Sequence, residues 1–396
     1  SDVYKRQFNY MINITNKEDC CGCTACASIC PHKAITMEPD ALGFLYPKVN
    51  IQKCTNCGLC ENVCAFNENY DKSFNFDKPK TYGVRYKNLS EIETSRSGAA
   101  FIALSDWILE HDGIIYGVGY NGHFHVAHKK AITKEERNEF KGSKYVQSDL
   151  SNTFLQIKRD LKNGKIVLFS GTPCQTSGLN SYIGKKYKNN LYLIDIVCHG
   201  VPSPYIWKDY ISYYERKYKK KIISVNFRDK KYGWDSHKET FILDDGVKIS
   251  PKYHPWSTLF CNRIMYRKSC GNCHFCNTTR PSDITIADFW GWEKTNPKIN
   301  LDNKGISLLL INTVKGEALF NNVRNNLITI NSKLEDCLQP NLKSPTILNN
   351  QSEIFENQYQ KYGFEYIIKR YTNIGIKRRC KVFWQKTKYE LQSLLK

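Results

Sequence analysis

No stretch of this 396-residue chain approaches the roughly 18 consecutive apolar residues that a membrane-spanning helix needs. A charged-then-apolar leader with a small-residue cleavage site is also missing, so a secretory route is not expected. The expected compartment is therefore cytoplasmic and reducing, where an excess of cysteine means metal or redox chemistry rather than disulfides. Acidic residues are in short supply, 38 Asp+Glu against 58 Lys+Arg, leaving a formal net charge of +20. No C-x3-C-x2-C triplet occurs, which excludes a radical-generating cluster of that type. Disorder is excluded as a general description by a composition 41% hydrophobic and 24% charged. Residues 1–10 precede Met11 and read as a cloning or gene-calling scar or a disordered start.

What the chain does have is 17 cysteines, unevenly placed. Nine lie between Cys20 and Cys64, in two copies of one pattern: Cys20-x2-Cys23-x2-Cys26-x3-Cys30-Pro31 and Cys54-x2-Cys57-x2-Cys60-x3-Cys64. A loop with cysteines at x2 intervals can give three thiolates to a 4Fe-4S cube, provided small residues such as Gly22, Ala25 and Gly58 let the backbone wrap it. The fourth cysteine lies beyond its own cube and reaches the other one. The expected sets are Cys20, Cys23, Cys26 and Cys64 for one cluster, and Cys54, Cys57, Cys60 and Cys30 for the second. A zinc ribbon needs only two C-x2-C pairs and does not call for two four-cysteine runs. Cys21 falls outside the pattern and is expected to be a buried bystander.

Organisation beyond this unit follows from punctuation and periodicity. Residues 11–71 are the expected dicluster ferredoxin domain, 72–80 a polar linker around Lys78-Pro79-Lys80, 81–330 a larger domain, and 331–396 a basic helical extension. Ser95-Arg96-Ser97-Gly98 opens a helical pattern, which reads either as a phosphate cradle or as simple N-capping by one of the serines. Gly117-Val118-Gly119-Tyr120-Asn121-Gly122 matches a dinucleotide fingerprint, but His123 to His128 alternates like a strand and Asn121-Gly122 is a hairpin turn. The histidines there read as a solvated face with no nearby acid. Past Tyr145 a strand–helix rhythm sets in, with strands at 166–169 and 191–197 and helices opened by Thr172-Pro173 and Ser203-Pro204. Such alternation argues for an α/β domain with a mixed or mostly parallel sheet. Cys174 and Cys198 fall beyond the carboxyl ends of those strands, where ligands bind, and share one crevice if the strands are neighbours.

A third group, Cys270-x2-Cys273-x2-Cys276, suits another 4Fe-4S cube completed by Cys174 or Cys198, with four-thiolate zinc as a competitor. Cys261, Cys337 and Cys380 stand alone. Residues 361–396 carry ten Lys/Arg and two Glu, which fits either peripheral contact with an anionic membrane or a packed terminal helix with solvated lysines.

These motifs, with Gly142-Ser143-Lys144-Tyr145, Gly171-Thr172-Pro173-Cys174-Gln175, Cys198-His199-Gly200 and Ser282-Asp283-Ile284-Thr285-Ile286-Ala287-Asp288, occur in one order. Together they resemble the coenzyme F420 hydrogenase/dehydrogenase beta-subunit family, in particular bacterial members with a fused ferredoxin domain. The resemblance implies an iron–sulfur flavoprotein, with FAD in the α/β domain lined by Ser97, Gly98, Lys144 and Tyr145. It also implies a third 4Fe-4S cluster held by Cys174, Cys198 and two of Cys270, Cys273 and Cys276. The expected activity is oxidoreduction between clusters, flavin and a hydride-exchanging substrate, either an F420-like deazaflavin or another organic acceptor. A redox partner protein or a small hydride donor or acceptor would supply the other end. Two alternatives stand beside it: an electron-carrier subunit without turnover of its own, and a nucleic-acid-binding iron–sulfur protein suggested by the charge. No reading element with clustered cations and aromatics is found for the last, so nucleic acid is not expected.

Overall fold

The computed structural model describes residues 11–67 and 72–375. In the N-terminal unit, β1 (Ile35–Pro39) and β2 (Leu45–Val49) pair as an antiparallel hairpin between two short helices, Ala25–Ile29 and Leu59–Asn62. Each helix starts inside a cysteine motif, and the two motifs share one backbone path. Gly22 (φ 71°) and Asn56 (φ 55°) take the left-handed conformation two residues after the first cysteine; Thr24 (φ 64°) and Gly58 (φ 73°) do so two residues later. The repeat read from spacing is therefore a repeat of conformation.

Eight strands form the main sheet: β3 (Asn75–Tyr86), β4 (Ile114–Asn121), β5 (His125–Ala131), β6 (Val167–Gly171), β7 (Leu191–Ile196), β11 (Ile284–Asp288), β12 (Ser307–Thr313) and β13 (Leu327–Ser332). Their order is β13-β3-β12-β11-β7-β6-β4-β5. The junctions β4–β6, β6–β7 and β7–β11 are parallel, and the flanking ones are antiparallel, so the sheet is mixed. Between them β8 (Ile222–Asn226), β9 (Thr240–Leu243) and β10 (Lys248–Ile249) make a small antiparallel sheet. It packs on an aromatic core of Trp207, Tyr210, Tyr214, Phe241 and Trp256.

The elements expected from the α/β rhythm are present. The helix Pro173–Ile183 has Pro173 in its first turn and a capping box in which Thr172 and Gln175 exchange hydrogen bonds. The Pro204–Tyr218 helix is capped by Ser203. β4 and β5 are a hairpin, as the Asn121-Gly122 turn implied, with Gly122 at φ 55°.

Three expectations need correction. From Asn75 onward the polar stretch read as a linker is the first half of β3, a strand paired on both sides. Pro79 is tolerated because it falls where the β3–β12 register breaks, between Lys80 and Asn75, so its missing N–H is not called on. Residues 331–332 still belong to β13, and after two short 3-10 turns, Leu334–Cys337 and Pro340–Leu342, the extension becomes α-helical at Ser352–Tyr371, bent at Gly363. Its Phe364, Ile367, Ile368 and Tyr371 are buried in the aromatic core, so 361–371 packs as a helix. Residues 376–396, including Cys380 and most of the cations that suggested a membrane surface, lie outside the described residues. Finally, His123 and His125 do meet acids, Glu215 at 3.0 Å and Asp149 at 3.4 Å, from segments remote in sequence.

Candidate iron–sulfur and cofactor sites

The ferredoxin unit builds two ligand sets. Cys54, Cys57, Cys60 and Cys30 line one cavity of about 350 Å³, which brings a thiol of the first motif beside three of the second. In the other set, burial pushes the Cys26 thiol well up, and Cys23, Cys20 and Cys64 add to the shift as near neighbours. Backbone N–H groups point at the sulfurs: Gly22 to Cys20 and Asn56 to Cys54, both 3.4 Å; Ala34 to Cys30 and Ile12 to Cys60, both 3.3 Å. Donors of this kind stabilise negative charge on a ligating sulfur and are one of the protein's means of setting cluster potential.

The third set is collected from distant segments. β6 and β7 are neighbours, with Gly171 opposite Asp195, so the turns after them place Cys174 and Cys198 side by side. The loop carrying Cys270, Cys273 and Cys276 is pinned to β7 by Arg280. Its guanidinium reaches Asp195 at 2.7 Å and the Phe275 and Asn277 carbonyls at 2.6 and 3.2 Å. All five of these cysteines line one cavity of about 420 Å³. The full trio lines it. Val201 and Gly200 donate to Cys270 and Cys198, each at 3.4 Å.

Cys21 is the correction within this site. It is buried, as expected, but it is no bystander: it lines the same cavity beside Cys174. Cys174 is held down to about 7, chiefly by its contact with the Cys21 thiol, against burial and with help from Thr172 and Arg267. Cys23 of the ferredoxin loop packs on the same helix, where a side chain at Gly178 would meet its Sγ at 2.7 Å. Phe66 stacks on His274 at 4.5 Å and closes the junction from the other side. Cys261 and Cys337 lie apart from every set.

The residues expected around a flavin separate. Gly98 sits where any side chain would strike the Val84 carbonyl at 2.3 Å, and Ser97 donates to the Ile306 carbonyl. Lys144 turns inward, donating to the Glu139 and Lys141 carbonyls at 2.7 and 3.1 Å; burial lowers its pKa to about 8. Tyr145 instead accepts from Arg228 at 3.3 Å, and Arg228 pairs with Asp288 at 2.7 Å. Lys230 donates to the Ser97 carbonyl at 2.8 Å, and Arg96 joins from the adjacent residue, donating to the Arg228 carbonyl at 3.4 Å. Ser97 and Tyr145 thus meet at a cationic cluster of Arg96, Arg228 and Lys230 that the sequence reading missed. Only Arg96, inside a quoted motif, left a signal. Burial, then Arg96 and Arg85, lower Lys230 to about 7. Neither serine caps the helix Ala100–Glu110; its N-cap is Ala99, left-handed and without a side-chain cap. Ser95 Oγ, Arg96 Nε and Trp234 Nε1 are buried without hydrogen-bond partners among the described residues.

An aromatic series joins this cluster to the five-cysteine cavity. The Tyr145 ring lies 4.7 Å from Phe260, Phe260 is 5.6 Å from His199 and 5.3 Å from Tyr266, and His199 lines the cavity.

With this geometry in view, comparisons with known proteins are specific. Residues 164–336 match the family described as the C terminus of the coenzyme F420 hydrogenase/dehydrogenase beta subunit. Residues 19–67 match the 4Fe-4S dicluster domain. Residues 164–336 thus carry the C-terminal region of that beta-subunit family, preceded in the same chain by a dicluster ferredoxin region. Curated relatives match its ferredoxin part. A polyferredoxin-like protein of Methanocaldococcus jannaschii is 41% identical over 64 residues, 13% of this chain and 38% of that protein. One subunit of the Na(+)-translocating ferredoxin:NAD(+) oxidoreductase complex of Acetobacterium woodii is 37% identical over 70 residues, 15% and 20%. Pyruvate synthase subunit PorD of Thermotoga maritima is 41% identical over 51 residues, 13% and 48%. The chain thus spans less than half the length of each. Among solved structures, a chain of the F420-reducing nickel–iron hydrogenase complex of Methanosarcina barkeri aligns at TM-score 0.43 and 13% identity, over 74% of this chain and 91% of that one. A likeness at that level identifies no function. Among the described residues, no helix is long and apolar enough to cross a membrane.

Proposed function

We propose that the chain is an iron–sulfur flavoprotein oxidoreductase that passes electrons between three 4Fe-4S clusters, FAD and a hydride-exchanging substrate. The observation that carries this reading is the convergence of Cys174, Cys198, Cys270, Cys273 and Cys276 on one cavity against the ferredoxin unit. Four of these five thiols would hold the third cluster. Unpaired thiols buried together fit a cluster, and no disulfide joins them.

The cationic cluster fits an anionic dinucleotide. Arg96 and Arg228 pair with Asp288, with Asp235 also acting on Arg96 and Asp302 on Lys230, and beside them lie the uncapped Ala100 helix and the Ser95 Oγ and Arg96 Nε donors, which make no hydrogen bond among the described residues. That combination is what a phosphate-bearing ligand requires. When bound, flavin exchanges two electrons as a hydride and one at a time with iron–sulfur centres. The chain's own part is to neutralise the phosphates with the cations, to orient the ligand against Tyr145, and to exclude water with Phe260, His199 and Tyr266. The substrate would be an F420-like deazaflavin or another organic hydride acceptor. A second reading, an electron-carrier subunit serving a partner enzyme in the cytoplasm, is favoured by two of the relatives being subunits of larger assemblies.

Anaerobic reconstitution tests both. The expected protein holds about twelve irons, matching sulfide and one FAD. It bleaches with one hydride donor if it is the oxidoreductase and only with a protein donor if it is the carrier. Zinc without acid-labile sulfide would defeat the cluster reading.

A further inference from the structure

Three arginines among the described residues are buried to 1% exposure: Arg137, Arg267 and Arg280. Arg137 pairs with Asp106 at 2.8 Å and Arg280 with Asp195 at 2.7 Å. Arg267 has no carboxylate partner among the described residues. Its guanidinium donates to the Cys20 and Leu45 carbonyls at 2.8 and 2.9 Å and to Gln147 Oε1 at 3.0 Å. It also lies 4.2 Å from the centre of the Tyr46 ring. Neutral acceptors and a ring recover only part of what a cation loses on leaving water, so an unpaired buried charge of this kind is expensive.

Its position shows what balances it. One Nη stands 3.6 Å from Cys20 Sγ, a ligand of the first ferredoxin set. The same side chain lines the five-cysteine cavity. Its backbone is tied to that cavity too, receiving from the Cys270 N–H and donating to the Val201 carbonyl, each at 3.0 Å. Gly22 makes the approach feasible, since a side chain there would meet the guanidinium at 2.8 Å. Four thiolates around an oxidised cube leave a net charge of about −2, so anions would stand on both sides of this cation.

We propose that Arg267 is the shared countercharge of two iron–sulfur clusters, that of Cys20, Cys23, Cys26 and Cys64 and that of the five-cysteine cavity, and that it raises both reduction potentials together. The inference rests on the third cluster proposed above. A fixed positive charge stabilises the more negative, reduced cluster on either side. It therefore keeps the two potentials in step, and an electron crosses the junction without a deep trap at either centre.

The full chain, reconstituted anaerobically, is compared with Arg267→Gln and Arg267→Lys by iron and sulfide content and by potentiometry followed by electron paramagnetic resonance. Expected is a fall of tenfold or more in the reduction equilibrium constant of both clusters in Arg267→Gln, about 59 mV per tenfold for one electron. Arg267→Lys recovers most of it, and the cluster of Cys54, Cys57, Cys60 and Cys30 does not move. Loss of iron in Arg267→Gln but not in Arg267→Lys likewise supports the charge. About eight irons in the wild type overturns the third cluster and the shared role together. Twelve irons with unmoved potentials in Arg267→Gln overturns only the role of Arg267, as does equal loss of iron or an equal shift in both variants.

Discussion

In the ferredoxin unit, three ligands of each set come from seven consecutive residues, 20–26 and 54–60, and only one comes from elsewhere. The other cavity gathers six thiols from four segments, Cys21, Cys174, Cys198 and residues 270–276. The first kind of site is held by left-handed residues inside the loop that carries the ligands. The second is held by packing and by ion pairs between strands and loops. Damage to the scaffold should therefore empty the cavity while sparing the loops, and the expected changes rank by how much of that scaffold each removes.

The largest effect is expected from Asp195→Ala. It strands the Arg280 guanidinium in a fully buried position, at a cost of about 3–5 kcal/mol. It also leaves Arg280, and the 270–276 loop it holds, tied to β7 only through the Ile196 carbonyl. Iron should fall by about a third, leaving the ferredoxin pair, with a matching loss of stability by urea titration. Loss of all iron would show that the two sites are one cooperative unit and break the contrast.

How much of this was legible follows the same division. The grouping of the ferredoxin thiols was readable because a short-range spacing sets it, and the Thr172-Pro173 helix start because capping is local. β3 was missed over Asn75–Lys80: its polar residues carry no alternation, and a proline in a strand can be recognised as harmless only once the register break is known. Cys21 looked surplus because its partner Cys174 is more than 150 residues away. Arg228 and Lys230 left no signal for the same reason. They share one segment and meet Arg96 and Asp288, each inside a quoted motif, only through the strand order. Lys144, adjacent to Tyr145, faces a different set of groups, since one residue along an irregular loop reverses a side chain's direction.

Gly178→Ala comes next. The added methyl group meets Cys23 Sγ at 2.7 Å and its Cβ at 2.8 Å, so loop and helix must part. The expected loss is about 1–3 kcal/mol, and the electronic coupling between the first and third clusters should weaken with iron content unchanged. A spin–spin interaction identical to the wild type would place the contact between the two regions elsewhere.

The cationic cluster offers a smaller, pH-dependent test. Lys230 titrates near 7 because burial and the neighbouring arginines disfavour its charge. A bound phosphate reverses this preference and raises its pKa. Affinity for FAD should thus be constant below pH 7 and fall as the pH rises, by up to about tenfold per unit, until the pKa of the complex is passed. Lys230→Met should flatten the profile and weaken binding, with no change at the ferredoxin clusters. A pH-independent affinity in the wild type would remove Lys230 from the binding site.

The smallest change distinguishes the two regions most directly. In the ferredoxin loops the sulfurs receive backbone N–H groups, which no side-chain substitution deletes. Cys174 receives the Gln175 N–H and has in addition the Thr172 hydroxyl at 3.2 Å, and Thr172 also caps its helix. Thr172→Ala removes both at a stability cost of about 1 kcal/mol, most of it from the cap. Thr172→Ser keeps the hydroxyl and should restore both. The informative readout is the midpoint potential of the third cluster. A drop in the alanine variant that serine repairs, with both ferredoxin potentials fixed, would show that the assembled centre adds a hydroxyl donor to the backbone donors both regions share. If the alanine variant moves the stability but not the potential, the hydroxyl serves the helix alone, and the two kinds of site are tuned in the same way.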